Sequence, residues 1–332
     1  MKKQLSELTT PALVVQWSDL MQNLSAMAAV RPRDRLRPHV KAHKCTALAC
    51  LQAEAGHRTF TCATVREVEG MAGVGLGADL LLANEVMDCR RLRSVCEAGA
   101  RVTLAVDSPE TIAAAARGGV QEVLIDVDVG LRRCGCAPAE AGELAAAARA
   151  AGLDVRGVMG YEGHAVGVAD RADRALLVNA AMKELLEAHR DVGGEVVSAG
   201  GTGSYDLNKV ATEIQAGSYV LMDTAYAKLD LPFRQAAYIL ATVISTQRDY
   251  AVANCGLKAL GMDKGLPDVE DAEVLRCADE HLKFRPYGSV RVGDSVRVWP
   301  AHIDPTVAYH TTIWVADDDS VRAIWPVDLR GW

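Results

Sequence analysis

The sequence predicts an α/β fold, a parallel (β/α)8 barrel with a smaller C-terminal antiparallel β domain. Between about residue 20 and 235, eight short β-rich runs alternate with polar, Ala-rich stretches of helical pattern. Eight alternating units argue for a closed parallel barrel. An open doubly wound sheet is the runner-up, but no G-x-G-x-x-G follows the first run. After about residue 236 the pattern changes to strand runs separated by turn residues.

The eight runs are Leu36–Lys41, Thr59–Ala63, Leu80–Asn84, Val102–Val106, Val123–Asp128, Val155–Gly160, Val196–Ala199 and Gly217–Met222. Helical segments between them include Thr64–Met71, Val86–Glu97, Pro109–Arg117, Pro138–Ala151 and Arg171–His189. Ser108 before Pro109 and Asp170 before Arg171 stand where N-caps belong. Strands are then expected at Ala237–Gln247, Tyr250–Asn254, Ser289–Trp299, Thr311–Ala316 and Val321–Trp325. Pro11–Val15 is a short strand-like run that could pair with that C-terminal sheet. The division by pattern is therefore a barrel over 18–235 and a β domain made of 1–17 plus 236–332.

Half of the 332 residues are hydrophobic, but only three are Phe, so the core must rest on Ala, Val and Leu, as in parallel α/β layers. The net charge is −7 with no basic stripe, which argues against a nucleic-acid partner. Met1–Glu7 lacks the apolar run of a secretory signal, and no stretch is apolar enough to span a bilayer. A cytoplasmic protein with no membrane partner is expected. Nine cysteines, an odd number in a chain this large, fit free thiols better than a disulfide framework. Cys134-Gly135-Cys136 is too tight for a zinc half-site and is given no metal role.

The chemistry-bearing residues fall at run ends, where a β/α barrel places its active site. Arg37-Pro38-His39-Val40-Lys41-Ala42-His43-Lys44 ends the first run. In an extended chain His39, Lys41 and His43 share one face. An amine on the inner face of a strand is desolvated, which lowers its pKa and makes it a nucleophile toward a carbonyl. The other reading is a solvated strand end. Asp128-Val129-Gly130-Leu131-Arg132-Arg133 follows the fifth run; either both arginines are solvated in an outward-facing loop, or, the favoured reading, Arg133 faces the site and Arg132 stays outside. Gly160-Tyr161-Glu162-Gly163-His164 brings an acid, a phenol and an imidazole to the rim, and His164 suits a general base. Gly200-Gly201-Thr202-Gly203-Ser204 follows the seventh run, the usual phosphate position of such barrels, although glycine loops are also ordinary turns. Tyr219 and Asp223 lie on or after the eighth. In Trp299-Pro300-Ala301-His302-Ile303-Asp304-Pro305, His302 and Asp304 project from one face if the segment is extended. An imidazole and a carboxylate suit a divalent ion, or simply hydrogen-bond each other, and His310 is a second histidine nearby.

Together these motifs resemble the D-threonine aldolase and D-serine dehydratase group of fold-type III pyridoxal phosphate enzymes, relatives of bacterial alanine racemase. The resemblance runs from Thr10-Pro11-Ala12-Leu13 to about Asp304. It implies that Lys41 is the Schiff-base lysine, Arg133 faces the cofactor's phenolic oxygen, and Tyr161 contacts the cofactor. It implies that Gly201, Thr202 and Gly203 cradle its phosphate; Ser204, Tyr219 and Asp223 are expected at the same site from their place on the rim. His302 and Asp304 match a metal pair. The dehydratase branch has a cysteine at the second position, so Asp304 points to the aldolases, and a carboxylate favours Mn²⁺ or Mg²⁺, with Zn²⁺ also able to fit.

The expected reaction is retro-aldol cleavage of a D-β-hydroxy amino acid, D-threonine giving glycine and acetaldehyde, with His164 taking the hydroxyl proton. The alternatives are a dehydratase acting on D-serine or 3-hydroxy-D-aspartate, a 3-hydroxy-D-aspartate aldolase, and a non-catalytic pyridoxal phosphate carrier, for which a metal pair has no use. A racemase needs no metal pair either. A homodimer is expected by analogy with fold-type III enzymes.

Overall fold

The computed structural model of the protein describes residues 3–332; Met1 and Lys2, which the sequence assigns to the β domain, lie outside them. Packing divides the chain into two units. One contains Met27–Lys41, Leu48–Gly217 and Leu329–Trp332; the other contains the chain up to Ala26, Ala42–Ala47 and Ser218–Asp328.

The first unit is built on a seven-stranded parallel sheet. Its strands follow chain order: Phe60–Cys62, Leu80–Leu82, Val102–Val106, Glu122–Asp126, Asp154–Gly160, Val196–Ala199 and Glu213–Ile214. Leu81, Ala105, Leu124, Met159 and Val196 form one buried apolar layer across five of them. The helices between are close to where the sequence expects them, except that the one expected from Val86 begins only at Arg90. Ser108 caps Pro109–Arg117 in a capping box with Thr111, and the Asp170 carboxylate accepts the Ala172 and Asp173 N–H groups at the start of Arg171–Val192.

The first and last expected strands need correction. Residues 36–41 do not form a strand. Leu36 makes a parallel bridge to Ile214 and His39 one to Thr61, after which Val40–Ala42 winds into a 3-10 turn. The Arg37 N–H donates to the Ile214 carbonyl, the His39 N–H to Ala216, and the Thr61 N–H to the Pro38 carbonyl. The segment thus joins both edges of the sheet and closes the barrel, which leaves no open edge. Pro38 has no N–H to give to a ladder, so the closure stays at isolated bridges. His39, Lys41 and His43 consequently do not share a strand face.

The eighth strand is Glu213–Ile214, not Gly217–Met222, where Ser218–Val220 is a 3-10 turn. Tyr219, Val220, Leu221 and Met222 are all buried. A continuous apolar run carries no alternation and cannot distinguish a buried turn from a buried strand.

The amino-terminal ends of the barrel strands enclose an ionic cluster. Arg37, 2% exposed, donates through Nε to Glu213 at 2.7 Å and through Nη1 to Asp79 at 3.0 Å. Arg156 donates to Asp79 at 3.1 Å and to the Thr103 hydroxyl at 2.8 Å. Burial pushes the Asp79 carboxyl up, but Arg37 and Arg156 outweigh it and hold the carboxyl below its ordinary value.

The second unit carries a nine-stranded sheet. Ala12–Gln16 lies in its centre, antiparallel to Ala237–Thr246 and parallel to Thr312–Asp317, so this early segment does join the C-terminal sheet. Ala251–Ala253 and Ser320–Pro326 match expected strands, whereas the one expected from Ser289 begins only at Ser295. Asp268–Val269, Ala272–Cys277 and Leu282–Pro286 are strands that the sequence reading missed. Leu5, Leu8, Val14, Tyr238, Leu240 and Val321 form its core, with Trp299 and Trp314 against it. Among the described residues no helix is long and apolar enough to cross a membrane.

Asp79→Asn leaves two buried guanidinium groups short of a countercharge and should cost about 3–5 kcal/mol in urea unfolding. Because the Asp79 pKa is lowered on folding, its contribution is present at neutral pH and is lost as pH falls below 3.8 toward the lowered folded-state value. The variant should therefore lose less stability than the parent protein over that acid range.

Candidate active site

The barrel unit collects its candidate residues at the carboxyl ends of its strands, around the ring of Tyr161. Tyr161 directly follows strand Asp154–Gly160. Lys41 sits half-buried in the turn after the closing segment, with Nζ 5.8 Å from the Tyr161 ring centroid. The Arg133 guanidinium carbon lies at the same 5.8 Å from that centroid. A Cβ added at Gly201 would come 3.3 Å from Tyr161 Cε2, so the glycine loop also borders this ring. An amine, a guanidinium and an unobstructed peptide backbone therefore border one aromatic ring.

Arg133 is placed by its loop. The Asp128 carboxylate accepts the Gly130 and Arg132 N–H groups, both at 2.9 Å. Asp128 N–H donates to the Cys136 carbonyl and Cys136 N–H to the Asp126 carbonyl, which closes the loop at its base. Gly135 has φ +102° and donates its N–H to Asp107 at 3.2 Å. A Cβ there would be 2.5 Å from the Asp128 nitrogen, so only glycine fits. Arg132, adjacent to Arg133, is exposed with a φ of 57°.

The glycine loop is held from beneath by a residue to which the sequence reading gave no role. Glu162 is fully buried and accepts from the Gly200 N–H at 3.1 Å and the Ser204 hydroxyl at 2.8 Å. The Ser204 oxygen in turn accepts the Gly201 N–H at 3.1 Å. Ser204 is thus part of the loop's framework, and Thr202 is 1% exposed. Gly203 packs so closely that a Cβ would be 1.9 Å from the Val166 carbonyl oxygen. Arg31, also buried, donates to the Tyr205 and Asn208 carbonyls at the loop's far end. A glutamate between two glycines at a strand end was the available signal for Glu162. His164 is exposed, with its ring over Gly130, where a Cβ would be 3.0 Å from Cε1.

The second unit holds the other group. His302 and Asp304 are not in an extended segment: His302 is the N-cap of helix Ile303–Tyr309 and Asp304 lies in its first turn. The two side chains still converge, His302 Nε2 being 3.9 Å from Asp304 Oδ2. That is too long for a hydrogen bond. Ser218 donates to Asp304 Oδ2 at 3.1 Å, and Lys44 Nζ donates to the Asp304 carbonyl at 3.0 Å. On its other nitrogen, His302 Nδ1 is 2.6 Å from Asp263 Oδ2. His310 is half-buried, with Nε2 3.0 Å from the Ala259 carbonyl. Burial lowers its pKa. Among the described residues no three His, Cys, Asp or Glu side chains gather as a ligand group.

Tyr219 and Asp223 belong to this second unit and do not lie on a barrel strand. Tyr219 is fully buried against Phe233, with ring centroids 5.6 Å apart. Asp223 is also fully buried and accepts the Tyr226 N–H at 2.9 Å and the Ile303 N–H at 3.0 Å, so it tethers the start of the helix that carries Asp304. Burial raises its pKa.

Glu162→Gln removes the charge that accepts both loop donors and puts an amide N–H₂ against one of them. A cost of about 1–3 kcal/mol is expected. Faster amide hydrogen exchange at Gly200 and Gly201, with the far side of the barrel unchanged, would check it.

Residues 15–225 match the family model for the alanine racemase N-terminal domain, and residues 236–316 match a putative serine dehydratase domain. A 3-hydroxy-D-aspartate aldolase of Paracoccus denitrificans (strain Pd 1222) is 33% identical over 98% of this chain and 93% of its own. A D-threonine aldolase of Arthrobacter sp is 31% identical over 98% of this chain and 94% of its own. The crystal structure of D-threonine aldolase from Filomicrobium marinum superposes with a TM-score of 0.92 at 32% identity, covering 100% of this chain and 98% of that one. The fold and these relatives agree: the chain belongs to the alanine racemase N-terminal domain family, in its group of D-threonine aldolase and D-serine dehydratase enzymes.

Proposed function

We propose that this protein is a pyridoxal phosphate- and divalent-metal-dependent aldolase that cleaves D-threonine to glycine and acetaldehyde. The observation that carries the reading is the pair His302 and Asp304, 3.9 Å apart and not hydrogen-bonded. Two coordination bonds of about 2.0–2.2 Å each can span that gap. A carboxylate here, where the dehydratases have a thiolate, favours a hard ion, Mn²⁺ or Mg²⁺, over Zn²⁺. An open site with two protein ligands leaves positions for substrate oxygens, as catalysis requires and a structural site does not.

The barrel residues fit the cofactor. Lys41 supplies the amine that attaches its aldehyde carbon. Arg133 would supply N–H donors to its phenolic oxygen, Tyr161 would give it a flat apolar wall, and the loop backbone, with no Cβ at Gly201 or Gly203, suits its phosphate. When bound, the cofactor supplies an electron sink for charge at Cα and the metal a Lewis acid for the β-hydroxyl. His164, exposed at the rim, takes the β-hydroxyl proton as the Cα–Cβ bond breaks. The aldehyde leaves, and a proton delivered to Cα completes glycine. In this reading the barrel residues hold the cofactor, and His302 and Asp304 hold the metal. Tyr219 and Asp223 keep a place in it as supports, Asp223 through the Asp304 helix.

One second reading has a specific basis. The relative at 33% identity is a 3-hydroxy-D-aspartate aldolase, for which the same bond cleavage would yield glycine and glyoxylate. A homodimer remains part of the proposal and is checked by light scattering.

Incubation with D-threonine, D-serine and 3-hydroxy-D-aspartate, followed by product identification, separates these readings. Glycine with acetaldehyde is expected from D-threonine. Ammonia with a keto acid as the main product would refute the aldolase reading. EDTA should abolish turnover and Mn²⁺ restore it, whereas a carrier has no turnover to lose. Borohydride trapping and peptide mapping should tag Lys41, and Lys41→Ala should lose both the tag and detectable activity.

A further inference from the structure

Asp263 and His302 are 39 residues apart, and nothing in the sequence links them. Their contact is nevertheless built in. Gly261 and His302 form an antiparallel backbone bridge. The Gly261 N–H donates to the Thr306 hydroxyl at 2.9 Å, and that hydroxyl donates to the His302 carbonyl at 2.7 Å. A Cβ at Gly261 would be 2.3 Å from Pro305 Cγ, so the turn carrying Asp263 is seated directly on the helix start. The Asp263 side chain is 57% exposed and that of His302 20%. Exposed pairs contribute little to stability, so fold maintenance is a poor reason for this one.

The contact has a chemical consequence. A carboxylate has no hydrogen to give, so Nδ1–H donates to Asp263 Oδ2 across the 2.6 Å. In the neutral ring the lone pair is then at Nε2, the nitrogen on the Asp304 side. We propose that Asp263 is a positioning residue for the cation site: it holds His302 in the tautomer and orientation in which Nε2 can ligate, and makes that nitrogen a stronger donor. Carboxylate partners of ligating histidines act in this way elsewhere and are worth about 10- to 100-fold in metal affinity. The inference rests on reading His302 and Asp304 as the metal pair.

The test is a Mn²⁺ titration of the full-length, cofactor-loaded protein stripped of metal, with free ion read by electron paramagnetic resonance. Asp263→Ala should weaken binding about 10- to 100-fold. Asp263→Asn should weaken it less, because the amide oxygen still accepts from Nδ1–H, and Asp263→Glu should recover part of the loss. Melting temperatures of the metal-free variants should match the parent. If neither the parent nor His302→Ala binds Mn²⁺, the metal reading falls and this proposal with it. If the parent binds, His302→Ala does not, and Asp263→Ala binds as the parent does, the metal pair stands and the role of Asp263 is overturned. A loss of affinity matched by a loss of metal-free stability would also overturn it, by making Asp263 a fold residue.

Discussion

The barrel depends on the ion pairs of Arg37. This guanidinium is 2% exposed, and an unpaired charge in such a place would cost several kcal/mol. It is tolerated because Glu213, on the last strand, and Asp79, at the entry to the second, both face it. Asp79 is shared with Arg156, which adds a further strand to the same cluster. Arg37 also lies in the segment whose bridges to Ile214 and Thr61 close the sheet. The charge cluster and the closure are therefore one device, and Lys41 follows four residues later. The position of the candidate nucleophile is set by how the barrel shuts.

The same logic recurs within each unit, where carboxylates that take no part in the proposed chemistry position the groups that do. Glu162 holds the glycine loop from below. Asp128 and Asp107 shape the turn that presents Arg133. Asp223 tethers the helix start that bears Asp304. Each accepts backbone N–H groups that irregular loops would otherwise leave unpaired, and satisfied backbone keeps such loops in one conformation. Lys41, Arg133, Tyr161, His164, His302 and Asp304 are half-buried or exposed. Glu162 and Asp223 are fully buried and Asp107 and Asp128 half-buried, so the supporting acids sit no more exposed than the groups they position.

Much of this arrangement was legible in the chain. Strand runs Val102–Val106 and Val196–Ala199, helix Pro109–Arg117 and the caps Ser108 and Asp170 were readable because period, propensity and capping chemistry agree there. Order along the chain was enough to place Lys41, Arg133, Tyr161 and the glycine loop at one end of a barrel, since parallel strands all deliver their carboxyl ends to the same rim. The reading failed where local pattern is silent. Pro38 interrupts the ladder within the alternating Leu36–Lys41 run, and Tyr219–Met222 is apolar without alternation. Short edge strands such as Asp268–Val269 have too few residues to show a period.

By itself the sequence determined the fold class, the family and the residue types available for chemistry, because these follow from periodicity and from motifs whose parts are close in the chain. Tertiary structure alone decided which acids serve as supports. Glu162 reaches Ser204 across 42 residues, Arg37 reaches Glu213 across 176, and Asp263 reaches His302 across 39. Such pairings depend on side chains meeting in space at hydrogen-bond distance. A one-dimensional order of residues carries no record of that, since the same acid would be a solvated surface charge if the chain turned one residue earlier.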